Sequence, residues 1–315
     1  MLINNNINNM DILTATLISA LRGKLVVDQS LENQSHTHSR PDLQAWTILA
    51  LQAAGAGAEE LHPLRNRLIA NQWPDGRVSL GSDHPTAFWP TPLAVLAWNQ
   101  APEFQEAQLR AITFLLNATG YHFPRPSGGI IGHDSALKGW PWIEATHSWV
   151  IPTSLTVIAL KGAGWGDHVR VVEAKRLLLD RQLPDGGWNY GNTSVFGQKL
   201  HPMPESTGVA LNALADIATS NEVASSLTYL RNRISRIRTP LSLSWGLMGL
   251  EAWGEKLPKK VELLYECWQR QQLYGTYDAS AISQMLLALT TSKDIHSLCT
   301  RFTPEYGKEL PPEVG

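Results

Sequence analysis

From residue 11 onward the chain alternates two kinds of apolar pattern. In the first, apolar residues recur every three or four positions and form one helical face. It covers residues 13–25, 59–71, 104–117, 168–181, 221–234 and 259–272. In the second, nearly every side of the helix is apolar, as in a helix surrounded by protein. It covers 41–56, 90–99, 152–163, 204–215, 240–252 and 278–289. Most of the second kind open with proline, which suits a helical first turn. The pattern predicts six pairs, each an amphipathic helix followed by an apolar one. The asparagine-rich residues 1–10 are expected to be disordered, and 27–39 to form a polar loop with Ser39 and Asp42 as a capping box. Residues 293–315 carry no repeat signal and are expected to lie as a tail over the surface.

Six apolar helices in an open row would expose apolar surface at both ends. Closing the row removes the ends. The expected fold is therefore all-α, an (α/α)6 toroid with six inner and six outer helices, one domain over 11–292 without a linker. A solenoid is the alternative, but solenoids keep a constant repeat. Here the marker residues Ala50, Ala97, Ala159, Ala213, Gly249 and Ala288 are 47, 62, 54, 36 and 39 apart, which suits a ring with one elaborated face.

Charge and composition narrow the function classes. A net charge of −2 and a pI near 6.6 give no general attraction to nucleic acid or anionic lipid. The two cysteines, Cys267 and Cys299, sit in no metal or disulfide pattern. The start MLINNNINNMD lacks a signal-peptide pattern, and no apolar run approaches the roughly 18 residues that span a bilayer. A cytoplasmic protein is expected, with a barrel mouth that could rest on a membrane. Twelve tryptophans stand out. They read either as wedges between helices or as the lining of an apolar pocket.

Three helix ends carry glutamine four residues before glycine: QLPDGGWNYG at 182–191, QWPDG at 72–76 and QQLYG at 271–275. Helical pairs joined by such turns resemble the terpene cyclase and protein prenyltransferase superfamily. QLPDGGW matches its Gln-x3-Gly-x-Trp motif in full, and QWPDGRV and QQLYGTY match in part. The resemblance implies a single-domain isoprenoid cyclase-like protein that holds a hydrophobic polyprenyl or squalene-type substrate in an aromatic barrel. Protein prenylation is disfavoured, because Cys267 falls on an outer helix and Cys299 in the tail. No cofactor or metal is expected, and nothing indicates the oligomeric state. The alternatives are a non-catalytic isoprenoid- or lipid-binding toroid and a carbohydrate-active (α/α)6 lyase or hydrolase.

Class II cyclases protonate substrate with an aspartate of a DxDD motif at an inner-helix start. No DxDD occurs here. The corresponding slots are Asp42, Trp89, Ile151, Glu205, Leu241 and Ser280, so Glu205 and Asp42 are the carboxylate candidates, with Asp83 on the same face. A helix N-terminus favours the anionic form, so a donor there needs an apolar setting. The plain reading of Glu205 is a first-turn dipole residue, and of Asp42 a cap. The insertion at 121–149 holds His122, His133, Asp134, Trp140, Trp142, Glu144, His147 and Trp149. It reads as a lid whose tryptophans stabilise carbocations, as a metal site of His133, Asp134, Glu144 and His147, or as a loop packed by its own aromatics. Trp89, Trp140, Trp142, His147, Trp149, Trp188, Tyr190, His201 and Tyr277 are the substrate-binding candidates.

Overall fold

The computed structural model describes residues 2–35, 40–124, 132–291 and 295. It is all-α apart from one short hairpin. The helices are α1 (Leu2–Ser35), α2 (Pro41–Ala53), α3 (Ala58–Ala70), α4 (Thr91–Trp98), α5 (Gln105–Asn117), α6 (Val150–Gly162), α7 (Val169–Asp180), α8 (Pro204–Leu214), α9 (Ser220–Arg233), α10 (Pro240–Glu251), α11 (Lys260–Gln269), α12 (Gln271–Tyr274) and α13 (Ala279–Thr290). The hairpin pairs β1 (Ser194–Val195) with β2 (Gln198–Lys199). No helix among the described residues is long and apolar enough to cross a membrane.

The two sequence patterns separate by burial. Every residue of α4 is buried, as is every residue of α6 except Ile151. By contrast α9 buries only Val223, Ser226, Leu227 and Leu230, one stripe at helical spacing. The apolar helices pack in the order α2, α4, α6, α8, α10, α13, and α13 packs back on α2.

The pairing differs from the sequence reading. Each apolar helix packs with the amphipathic helix that follows it: α3 on α2, α5 on α4, α7 on α6, α9 on α8 and α11 on α10, while α1 packs on α13. The links inside these pairs are short, as between Ala53 and Ala58, whereas the next apolar helix begins only at Thr91. A short link makes an antiparallel helical hairpin. The long links at 71–90, 118–149 and 181–203 therefore all join amphipathic-helix C-termini to apolar-helix N-termini, at one end of the molecule.

The opposite end is stitched by polar side chains. Asn99 Nδ2 donates to Gly162 O of α6 at 2.7 Å, Lys161 Nζ to Ala213 O at 3.2 Å and to Ala215 O beyond α8, and Asn212 Nδ2 to Met248 O of α10 at 3.4 Å. The bonds to Gly162, Ala213 and Ala215 occupy carbonyls at or beyond helix C-termini, where helical partners run out, while Met248 O also accepts from Ala252 N at 3.0 Å. In the interior, Trp46 of α2 and Trp245 of α10 meet edge to face at 5.9 Å, both almost wholly buried. Helices α8 and α10 touch backbone to backbone, since a Cβ on Gly208 would lie 2.1 Å from Trp245 O.

Two expectations are corrected at the N-terminus. Helix α1 runs through residues 2–10 and 27–35, given above as disordered and loop; its buried anchors Leu13, Leu17 and Leu21 lie in the expected helical part. The N-cap of α2 is Arg40, without a side-chain cap bond, and Asp42 bonds to Arg40. Ser39 and the tail at 293–315, apart from Ile295, lie outside the described residues.

Candidate functional site

The glutamine turns prove to be clamps. Gln182 Nε2 and Gly187 N both donate to Ser226 Oγ of α9 at 2.7 Å. Trp188, fully buried, donates through Nε1 to Leu178 O of α7 at 2.6 Å, and its backbone N donates to Thr207 Oγ1 of α8 at 3.0 Å. One ten-residue segment thus binds three helices. Gly186 makes the turn possible: its φ is +90°, and a Cβ would lie 2.4 Å from Ser225 O. At the first turn Gln72 Nε2 donates to Ala107 O of α5 at 2.8 Å, and Val78 N to Thr91 Oγ1 of α4 at 2.9 Å. At the third, Gln271 Oε1 accepts from Tyr277 N at 2.8 Å.

A further clamp has no glutamine turn. Buried Trp140 donates through Nε1 to Leu115 O of α5 at 2.8 Å and through its backbone N to Thr153 Oγ1 of α6 at 3.0 Å. These are the bonds Trp188 makes. The signal available in sequence was an apolar residue thirteen positions ahead of a threonine in an apolar helix, as with Val78 and Thr91.

Three substrate-binding candidates are therefore struts. Trp140 and Trp188 have no exposed surface to offer a ligand. Tyr277 spends its hydroxyl on Cys267 O at 2.8 Å, and burial pushes its phenol up to about 12.

The other candidates separate. Trp89 and Trp142 form a half-buried T-shaped pair at 5.5 Å. Tyr190 and His201 are exposed. Buried Asp42 accepts two bonds from Arg40, at 2.5 and 3.1 Å. Asp83 is exposed, its carboxylate 3.5 Å from His84 Nε2. Glu205 is buried in the first turn of α8 and accepts from Ser242 Oγ at 2.7 Å. The structure brings none of these carboxylates into the cleft described next. Glu144 is engaged by Arg77 at 3.0 Å, and among the described residues no three His, Cys, Asp or Glu side chains gather as a metal requires.

His147 and Trp149 do meet at a site. They line a cleft of about 310 Å³ between the α5–α6 and α7–α8 connections. Tyr121, Phe123, His133, Ser135 and Leu137 form one wall, and Asn192, Ser194, Val195 and Phe196 the other. Arg181 also lines it. Its Nη1 donates to Asp180 at 2.8 Å and its Nη2 to Asp134 O at 3.2 Å. Burial pulls this guanidinium down to about 10, against the opposing pull of Asp180 and Asp134, so it stays charged at neutral pH. Tyr121 stands edge-on to His147 with ring centroids 5.7 Å apart. The hairpin tip holds Phe196 at φ +48° and Gly197 at +74°, a pattern of primed turns that normally excludes a bulky first residue. Phe196 is 92% exposed there. Such strain recurs at functional sites.

Among its described lining residues the cleft combines aromatic rings, one guanidinium and two imidazoles, and no carboxylate. That set can hold a molecule with an unsaturated or planar body and an anionic end. No protein-family model matches the chain, and no curated protein is found to be similar to it.

Proposed function

We propose that this chain is an (α/α)6 toroid of the terpene cyclase and prenyltransferase kind that binds, without cyclising, a small isoprenoid-type ligand with an anionic end. The return of α13 onto α2 and the clamps between outer and inner helices support the toroid. One observation carries the ligand reading: rings of Tyr121, Phe123, Trp149 and Phe196 line the cleft with Arg181, His133 and His147, and the described lining has no acid. The non-catalytic part rests on the carboxylates. Asp42 is held by Arg40, Glu205 by Ser242, and Asp83 is in solvent. Protonating an alkene needs a neutral acid in an apolar setting.

Native mass spectrometry with farnesyl diphosphate, geranylgeranyl diphosphate, farnesol and squalene tests this. The expected result is retention of a prenyl diphosphate, weakened by Trp149→Ala, with no new hydrocarbon on gas chromatography. No retention of any of the four, or a cyclic product lost in Glu205→Gln, refutes it.

A carbohydrate lyase is favoured by one feature, the Tyr121–His147 pair in the same lining as Arg181. A base beside a cation is the requirement for removing a proton next to a sugar carboxylate. A hydrolase is disfavoured, since hydrolysis commonly uses two carboxyl groups. Ultraviolet absorbance from an unsaturated product on uronate polysaccharides would select the lyase.

A further inference from the structure

On a different face, the end of α9 concentrates charge that the rest of the chain does not. Arg231, Arg233, Arg236 and Arg238 fall within eight positions, and no acid occurs between Glu222 and Glu251. The whole chain is at −2. Two of the four arginines are engaged. Arg231 forks onto Glu255 at 2.5 and 3.2 Å, and Arg238 Nη1 donates to Ser235 O and Ile237 O at 2.8 and 3.0 Å. Arg233 and Arg236 make no ion pair among the described residues, and both are exposed. They line one groove of about 590 Å³ with Asp185, Ser225, Thr228, Tyr229 and Asn232.

We infer that this groove docks an acidic segment of a protein partner. Two free guanidinium forks match carboxylate geometry and form charge-assisted bonds. Asn232 adds an amide that both donates and accepts, as an extended peptide backbone needs. Asp185 is the one acid among the described lining residues, so acidic side chains of the partner sit toward Arg233 and Arg236. Nucleic acid fits poorly, because duplex binders neutralise about six to ten phosphates and only two arginines are free here. A bilayer fits poorly as well, since no aliphatic side chain larger than Ala224 lines the groove.

The test is fluorescence anisotropy of a labelled oligo-glutamate peptide with the full chain at low salt. Saturable binding is expected, weakened about tenfold or more by the double change Arg233→Glu and Arg236→Glu, and weakened less by the two Arg→Lys changes. Asp185→Asn should tighten it. Both arginines are exposed, so circular dichroism should confirm that the variants fold. An absence of saturable binding, or binding that charge reversal leaves unchanged, overturns the inference. So does tighter binding of oligodeoxythymidylate or phosphatidylserine vesicles under the same conditions.

Discussion

The clamp threonines allow a graded prediction. Thr91, Thr153 and Thr207 each accept from the backbone N of a clamp residue and donate to that same residue's carbonyl. Replacing each by valine keeps the shape and removes only the hydroxyl. At Thr207 the Trp188 carbonyl keeps a second donor, Met203 N at 2.8 Å. At Thr153 the Trp140 carbonyl keeps Trp149 N at 3.1 Å. Each of these changes therefore orphans one buried N–H, a cost of about 1–3 kcal/mol. Val78 has no second partner for either atom among the described residues, so Thr91→Val orphans a donor and an acceptor. It should cost more, about 2–6 kcal/mol on the same scale.

Urea denaturation followed by tryptophan fluorescence measures the three variants beside their serine counterparts, which keep the hydroxyl and lose about one buried methyl, roughly 1 kcal/mol. The expected order of loss is Thr91→Val first, with Thr153→Val and Thr207→Val together behind it. If the valine variants fall no further than the serine variants, the threonines do not anchor the clamps. If all three valine variants fall equally, counting orphaned atoms is the wrong account.

Three further outcomes are expected. Lys260 donates to half-buried Glu251 at 2.7 and 3.0 Å and to Thr291 O at 2.8 Å. Lys260→Met should cost about 2–3 kcal/mol at neutral pH. Because burial raises the Glu251 carboxyl, folding loses stability as pH rises through its titration, so thermal melts of the variant should recover toward wild type in acid. Tyr277, raised from 10.0 to about 12, favours its protonated form in the fold. Its contribution is complete below about pH 10 and lost as pH rises from there through 12, so Tyr277→Phe should flatten the alkaline limb of a melting-temperature profile. Deleting residues 194–199 should leave the melting temperature within a few degrees while abolishing ligand retention in the cleft, since that strand pair buries little.

Helix positions were legible because two apolar patterns alternate strongly, and the glutamine turns were legible as a device. Which helix pairs with which depended on link length, a property the periodicity does not weigh. The roles of the aromatics were the least readable. Trp140 and Trp149 lie nine positions apart in one insertion, yet one is a strut and the other lines a cleft. Composition treats them alike. Only the threonine partner on the next apolar helix tells them apart. Arg181 was invisible as a site residue because it closes an amphipathic helix, where arginine is ordinary. Asp42, Ile151, Glu205, Leu241 and Ser280 each stand second in their helices and Trp89 just before α4, but Arg40 and Ser242, the groups that occupy Asp42 and Glu205, cannot be read from spacing.

The clamps also explain where the cleft comes from. The clamp residue and its threonine are thirteen positions apart at Val78–Thr91 and at Trp140–Thr153, but nineteen at Trp188–Thr207. The excess of six equals the span from Ser194 to Lys199, the hairpin that carries Phe196. On the other side, Trp188 and Tyr277 each reach back ten positions to a carbonyl of the preceding amphipathic helix, whereas Trp140 reaches back twenty-five. That longer stretch carries Tyr121, Phe123, His133, Ser135 and Leu137. Both cleft walls are thus departures from a repeat frame that is otherwise kept. Packing needs constrain the frame and place no such demand on the two insertions. Lining residues gathered on both at once, with an arginine from the adjoining helix end, are what the proposed ligand site requires and are not demanded by the packing of the helices.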